Sequence, residues 1–156
     1  MTVRVQSAAF DLAAAVAEVK TGRTDIGAVV TFTGAVRDSV DGKRLIAMTL
    51  EHYPGMTEAE LARVEAEAHE RWPLQASLII HRFGRLLPGE DIVLVVTASA
   101  HRKAAFAAAE FLMDDLKTNA PFWKHEELAG GGVSWVEAKP SDDNAAARWH
   151  DKARKA

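Results

Sequence analysis

The chain contains no cysteine among its 156 residues. A protein without cysteine cannot form a disulfide, use a thiolate as a nucleophile, carry sulfur as a persulfide or bind a metal through thiolates. Its histidines also lack the His-x-x-x-His spacing that zinc-binding helices use. We therefore expect neither a bound metal nor a resident cofactor. The six histidines are His52, His69, His81, His101, His125 and His150.

Long apolar runs and an excess of basic charge are absent as well. No apolar run reaches eighteen residues and no charged-then-apolar leader opens the chain, so we expect no membrane span, no signal peptide and a cytoplasmic location. A formal net charge of -3 argues against a general nucleic-acid binder, which would carry a basic excess. Hydrophobic residues make up 48% and charged residues 26% of the chain, which favours a soluble globular protein.

Helical and strand patterns alternate along the chain without a repeat or a linker, which predicts a single α+β domain with antiparallel strands and about three helices. We assign residues 1–149 to this domain and residues 150–156 to a basic C-terminal tail. Predicted helices cover residues 11–20 and 58–72, the second starting at a capping box from Thr57 to Glu60, and a third begins at Ser99. Predicted strands cover residues 3–5, 27–36, 45–53, 78–80, 92–97, 122–126 and 134–138.

Two antiparallel hairpins are expected from the turn signals between these strands. The polar turn at residues 38–42 predicts that strand 27–36 pairs with strand 45–53. The three glycines at residues 130–132 predict that strand 122–126 pairs with strand 134–138.

The third helix carries cationic residues at its two ends. Ser99 is placed to cap it and Pro121 stops the pattern. His101 and Arg102 fall in the first turn, where free backbone N–H groups and the helix dipole favour anions, so they predict a phosphate-binding site. Lys117 lies roughly 24 Å further on at about 1.5 Å per residue, too far for both ends to reach one small molecule. The sequence predicts either two sites or one site built from two subunits.

Lys117 and Lys124 flank a break in the pattern at residues 119–121, which can turn the chain back and place both ammonium groups in one pocket. Repulsion and burial both lower the pKa of a lysine, and a lysine altered in this way can act as a nucleophile or a general base. The alternative stays open that Lys117 is a favourable charge in the last turn of a helix and Lys124 a solvated strand residue.

Six blocks of sequence stand in order over residues 3–149: Thr31-Phe-Thr-Gly-Ala-Val-Arg37, Leu50-Glu-His-Tyr-Pro-Gly-Met-Thr57, Arg71-Trp-Pro-Leu74, Ala98-Ser-Ala-His-Arg102, Leu116-Lys-Thr-Asn-Ala-Pro-Phe-Trp-Lys124 and Trp135-Val-Glu-Ala138. The second and the fifth block are the most distinctive of the set. Together the six blocks resemble the large, catalytic subunit of molybdopterin synthase.

The resemblance implies an α/β-hammerhead fold and sulfur transfer in molybdenum cofactor biosynthesis. Members of this family convert cyclic pyranopterin monophosphate into molybdopterin by adding the two sulfurs of its dithiolene. The sulfur arrives as a thiocarboxylate on the C-terminal Gly-Gly tail of a small ubiquitin-like subunit. Two large subunits form a homodimer at the core of a heterotetramer, with one small subunit at each end. No nucleic acid and no membrane takes part.

The resemblance also implies roles for individual residues. Lys117 is the first catalytic candidate and Lys124 is the second. The dimer of the family places His101 and Arg102 of one chain beside the lysines of the other, which accounts for the distance between the helix ends. The candidates for binding the phosphate and the pterin are Arg37, His101, Arg102 and Lys139, and those for lining the pocket are Phe32 and Met113.

Each of these assignments has a structural alternative. In the alternative reading, Arg37 is a solvated residue before a polar turn. Phe32 and Met113 are core residues in that reading. At the level of function, one alternative is a non-catalytic scaffold that binds a ubiquitin-like sulfur carrier. A second is an enzyme that acts on another phosphorylated heterocycle without a protein partner.

Overall fold

The computed structural model describes residues 1–136 and 140–150, without the side chains of residues 140–142. Over these residues the chain forms nine strands and four helices in one α+β domain, which confirms the predicted fold class. In chain order these elements are β1 (Thr2–Gln6), α1 (Leu12–Lys20), β2 (Ala28–Ala35), β3 (Ser39–Val40), β4 (Lys43–His52), α2 (Met56–Arg71), β5 (Leu74–Arg82), β6 (Gly84–Leu86), β7 (Asp91–Ser99), α3 (Arg102–Thr118), β8 (Phe122–Leu128), β9 (Gly132–Val136) and α4 (Pro140–Ala147).

The strands form two sheets. The first has the order β1-β5-β7-β2, in which β1 runs parallel to β5 and the other neighbours are antiparallel. The second has the order β3-β4-β8-β9, and its fifth strand, β6, also pairs with β4. The predicted hairpin across the three glycines is confirmed by the pairing of β8 with β9.

The other predicted hairpin is wrong, because β2 and β4 belong to different sheets. Val40 pairs with Lys43, and the two residues between them, Asp41 and Gly42, have φ values of 51° and 77°. Two successive residues with positive φ are typical of the two-residue turn that joins twisted strands. The turn therefore joins β4 to the short β3, and β2 pairs with β7 instead.

The two central strands of the first sheet, β5 and β7, are buried on both faces over most of their length. Val93 and Val95 of β7 face α2 and α3, whereas Leu94 and Val96 face α1. This alternation explains why β5 and β7 are nearly continuous apolar runs: helices cover each side of the sheet. A smaller third cluster, which includes Leu50 of β4, lies under the second sheet.

Two helices begin at residues other than those predicted. α2 starts two residues earlier than the Thr57 capping box implies, because Glu58 accepts the backbone N–H of Gly55 at 2.6 Å. α3 has His101 as its N-cap, whereas Ser99 ends β7 and donates its hydroxyl to the Pro73 carbonyl at 2.9 Å.

The fourth helix, α4, was not predicted, because its polar and alanine-rich sequence has no apolar stripe. The proposed tail at residues 150–156 falls almost wholly outside the described residues. Among the helices of the described part, none has both the length and the apolar character that crossing a membrane requires.

Candidate active site

A cleft of about 640 Å³ lies where the end of α3 meets the second sheet. It brings together three of the predicted cationic residues, Arg37, Lys117 and Lys124. Asp41 and Glu126 add two carboxyl groups to its wall. Arginine can hold phosphate oxygens with two parallel hydrogen bonds, whereas lysine acts as a mobile point charge. A cleft with this set of cations suits a small anionic group.

A helix end and a strand deliver the two lysines to this cleft. Lys117 lies in the last turn of α3, which ends when the Asn119 N–H donates to the Asp115 carbonyl at 2.8 Å. Lys124 lies on β8, opposite Leu50 of β4 and Val136 of β9. The break between helix and strand therefore brings both residues to one cleft, as the sequence suggested.

His81 lies behind the lysines, and the sequence analysis did not select it. Its ring is buried and stacks on Phe122 with a centroid distance of 3.7 Å and an interplanar angle of 18°. Its Nδ1 lies 2.9 Å from the Arg82 carbonyl, so Nδ1 carries the proton that is donated there. Burial lowers the pKa of His81 to about 4, and the positive charges of Lys124 and Lys117 act in the same direction. The imidazole is therefore neutral at pH 7.

His101 and Arg102, which were also predicted to bind an anion, lie outside this cleft. His101 and Arg102 line a shallow depression of about 500 Å³ together with Lys103 and Phe106. This depression lies at the first turn of α3, and Lys117 lies in the last turn of the same 17-residue helix. Within one chain, the two ends of α3 therefore do not contribute to the same site. This agrees with the separation expected from the length of the helix. The assembly of a shared site across two chains stays a prediction.

Neither Phe32 nor Met113 lines the cleft. Phe32 lies on the edge strand β2 and is 40% exposed. Met113 is 8% exposed and packs in the core between α2, α3 and the first sheet, so within one chain it is a core residue. Lys139 lies outside the described residues. Among the residues that the structure describes, no group of three or more His, Asp or Glu side chains could hold a metal ion.

Comparison with known proteins identifies the family. A family model described as MoaE protein matches residues 5–119. The chain belongs to the MoaE family. A molybdopterin synthase catalytic subunit from Mesorhizobium japonicum is 58% identical over 149 residues, which are 95% of this chain and 92% of the relative.

Solved structures of the MoaE family share the fold. The molybdopterin biosynthesis MoaE protein from Burkholderia ambifaria has a TM-score of 0.82 at 50% identity, covering 96% of this chain and 97% of the other. The molybdopterin synthase from Staphylococcus aureus has a TM-score of 0.80 at 30% identity, covering 86% and 96%. The resemblance stated from the six sequence blocks is therefore confirmed.

The matched regions differ in which candidate site residues they include. The family model reaches Arg37, His101, Arg102 and Lys117 but ends before Lys124. The 149-residue alignment with the Mesorhizobium protein extends over Lys124 as well. His81 lies inside the matched region too, yet nothing in its sequence context distinguishes it from a core residue: it directly follows the apolar run at residues 78–80.

Proposed function

We propose that this protein is the catalytic subunit of a molybdopterin synthase. In this proposal it transfers sulfur from a thiocarboxylated small subunit to cyclic pyranopterin monophosphate and so forms the dithiolene of molybdopterin. The observation that carries the proposal is the convergence of Arg37, Lys117 and Lys124 on one cleft, in a chain whose relatives are molybdopterin synthase catalytic subunits. The reaction takes place in the cytoplasm.

The composition of the chain supports a sulfur donor on another protein. With no cysteine in its sequence, the chain cannot hold sulfur covalently as a persulfide. A thiocarboxylate at the end of a Gly-Gly tail is both narrow and negatively charged. Such a tail fits a cleft whose wall carries two ammonium groups and one guanidinium group.

In the proposed chemistry the thiocarboxylate sulfur attacks a side-chain carbon of the pterin and forms a carbon–sulfur bond. The carbon–oxygen bond at that carbon breaks, and its oxygen leaves as water or stays on the phosphate when the cyclic ester opens. Lys117 and Lys124 hold the tail in position and stabilise the negative charge that develops. Water then hydrolyses the resulting thioester: the acyl carbon–sulfur bond breaks, the tail leaves as a carboxylate, and the sulfur stays on the pterin. Two donor molecules are used in turn for each product.

Substrate binding in this proposal uses residues from two chains. Arg37 and Lys139 of one chain act with His101 and Arg102 of a second copy on the cyclic phosphate and the pterin, and Phe32 lines the shared pocket. Two observations support this arrangement: His101 and Arg102 lie away from the cleft of their own chain, and Phe32 lies on an edge strand. The assembly is a homodimer with a small ubiquitin-like subunit at each end.

Reconstitution tests the proposal directly. The chain is mixed with thiocarboxylated small subunit and cyclic pyranopterin monophosphate, and molybdopterin formation is followed for the native protein and for Lys117→Ala. We expect product from the native protein and almost none from the variant. Lys20→Ala is the matched control, because Lys20 also lies in the last turn of a helix but is exposed on α1, away from the cleft. The control should retain native activity.

Each other result points to a different function. Full activity of Lys117→Ala would keep the reaction but move its chemistry away from this residue. Binding of the small subunit without any product would favour the non-catalytic scaffold. Turnover of the pterin without the small subunit would favour an enzyme that needs no protein partner.

A further inference from the structure

The short connection between Lys117 and Lys124 contains a tight turn centred on Pro121. The backbone N–H of Phe122 donates to the Ala120 carbonyl at 2.8 Å, which closes a three-residue turn. Proline suits the central position of such a turn because its ring fixes φ near the required value. The turn sets the direction of the Pro121 carbonyl and the path by which the chain passes from α3 into β8.

A buried hydroxyl holds this turn from the other side. Thr57 of α2 is fully buried, and its Oγ1 donates to the Pro121 carbonyl at 3.2 Å. The same Oγ1 accepts the Tyr53 N–H at 3.0 Å, while the Thr57 N–H donates to the Tyr53 carbonyl at 2.9 Å. Because Tyr53 supplies the donor to Oγ1, the single hydroxyl proton of Thr57 is directed to Pro121.

The turn is therefore tied to two other elements at once. Tyr53 directly follows β4, the strand that pairs with β8 and so carries Lys124 opposite its own Leu50. On the far side of the turn, the ring of Phe122 is held by its stacking on His81. Thr57 connects the start of α2, the end of β4 and the turn, although it does not itself line the cleft.

We propose that Thr57 is a positioning residue for the reaction, which acts by fixing the Pro121 turn and thereby the placement of Lys117 relative to Lys124. This inference rests on the proposed function, since the two lysines are the catalytic pair there. A catalytic group displaced by a fraction of an ångström loses much of its effect, because orientation contributes a large part of the rate. The hydroxyl of Thr57 is thus needed for turnover beyond its part in stability.

Isosteric substitution separates the two roles. Thr57→Val keeps the shape of the side chain but removes both the donor to Pro121 and the acceptor of the Tyr53 N–H, and Thr57→Ser restores both. We expect Thr57→Val to lower kcat by about tenfold or more with a change in KM below about twofold, and Thr57→Ser to recover most of the loss. Thr97→Val is the matched control: Thr97 is equally buried, its hydroxyl donates to the Ala105 carbonyl at 2.7 Å, and it does not line the cleft.

Equal losses of kcat in Thr57→Val and Thr97→Val would overturn the proposal, since they would report only the cost of removing a buried hydroxyl. In a Lys124→Ala background, Thr57→Val should cause little further loss, because residues that act through one another are not additive. A fully additive loss would contradict the proposal. If Thr57→Val does not fold, Pro121→Ala replaces it, and native kcat in that variant would refute a role for the turn.

A readout without turnover distinguishes this inference from the proposed function. The 13Cε resonances of Lys117 and Lys124 are compared between native protein and Thr57→Val, with that of Lys20 as the internal control. We expect both cleft lysines to shift and Lys20 to stay in place. Unchanged resonances would contradict the positioning role whatever the activity, and shifted resonances in a protein that makes no molybdopterin would refute the proposed function alone.

Discussion

The neutral imidazole of His81 makes the folded protein sensitive to mild acid. Burial lowers the pKa of His81 from 6.5 to about 4 in the folded chain, whereas the unfolded chain keeps the ordinary value. As the pH falls below 6.5, the unfolded chain takes up the proton first, so the free energy of unfolding decreases. The stability that the neutral ring contributes is complete above about pH 6.5 and is lost as the pH falls towards 4.

The size of this loss follows from the two pKa values. One pKa unit corresponds to about 1.4 kcal/mol, so the loss reaches about 2 kcal/mol at pH 5 and about 3 kcal/mol at pH 4. Both figures are large beside the total stability of a typical domain, which is about 5–15 kcal/mol. The positive charges that oppose protonation come from Lys124, Lys117 and His52.

Urea unfolding at pH 7 and at pH 5 measures the effect in the native chain and in His81→Asn. The asparagine amide places a donor near the position of Nδ1 but does not titrate. It lowers stability at both pH values, so the informative quantity is the change between them. We expect the native chain to lose about 2 kcal/mol more than His81→Asn between pH 7 and pH 5.

Other buried groups also have shifted pKa values, and the comparison with the variant removes their contribution from the measured difference. Burial raises the pKa of Glu65 and of Asp115, so their contribution has the opposite sign and is lost as the pH rises. Burial lowers the pKa of His69, which therefore acts in the same direction as His81. An equal pH dependence in the native chain and in His81→Asn would refute the assignment of the acid sensitivity to His81.

Two further predictions concern the turn before β4 and the assembly of the site. Gly42→Ala should lower the free energy of unfolding by about 1–2 kcal/mol in urea, because Gly42 has a φ of 77°, whereas Gly132→Ala should cost less because that glycine has no positive φ and open space around its Cβ position. Mixing Lys117→Ala chains with Arg102→Ala chains should restore activity, since each mixed dimer then holds one intact site; subunit exchange without any recovery would contradict the shared site.

The elements that the sequence predicts well are those with a strong local pattern. The apolar runs at residues 78–80 and 92–97 predict buried strands, and β5 and β7 are the two central strands of the first sheet. The pairing of β2 with β7 could not be predicted from local patterns, because it joins residues that are far apart in sequence, such as Phe32 and Val95. The hairpin at Asp41 and Gly42 had a usable local signal, because Asp-Gly is a typical two-residue turn.

The sequence predicted the types of residue in the candidate site and the proximity of its two lysines, but not which other residues lie beside them. Lys117 and Lys124 are near each other in sequence, so a turn between them was a sufficient reason to place them together. Arg37 lines the same cleft although it is far from both lysines in sequence, and no local pattern predicts that contact. Thr57 and His81 escaped detection because a buried hydroxyl and a buried imidazole both look like ordinary core residues until their partners are seen.

The position of His81 also bears on how the cleft concentrates positive charge. His81 stacks on Phe122 and lies close enough to Lys117 and Lys124 to interact with their charges, so a third positive charge on its ring would repel them. Because the buried ring of His81 stays neutral at pH 7, it fills the space behind Phe122 without adding to this repulsion. The positive charge then stays at the surface of the cleft, where an anionic tail or a phosphate can reach it. In acid, the ring of His81 becomes protonated close to the two lysines. Protonation of His81 therefore both lowers the stability of the fold and adds positive charge next to the cleft.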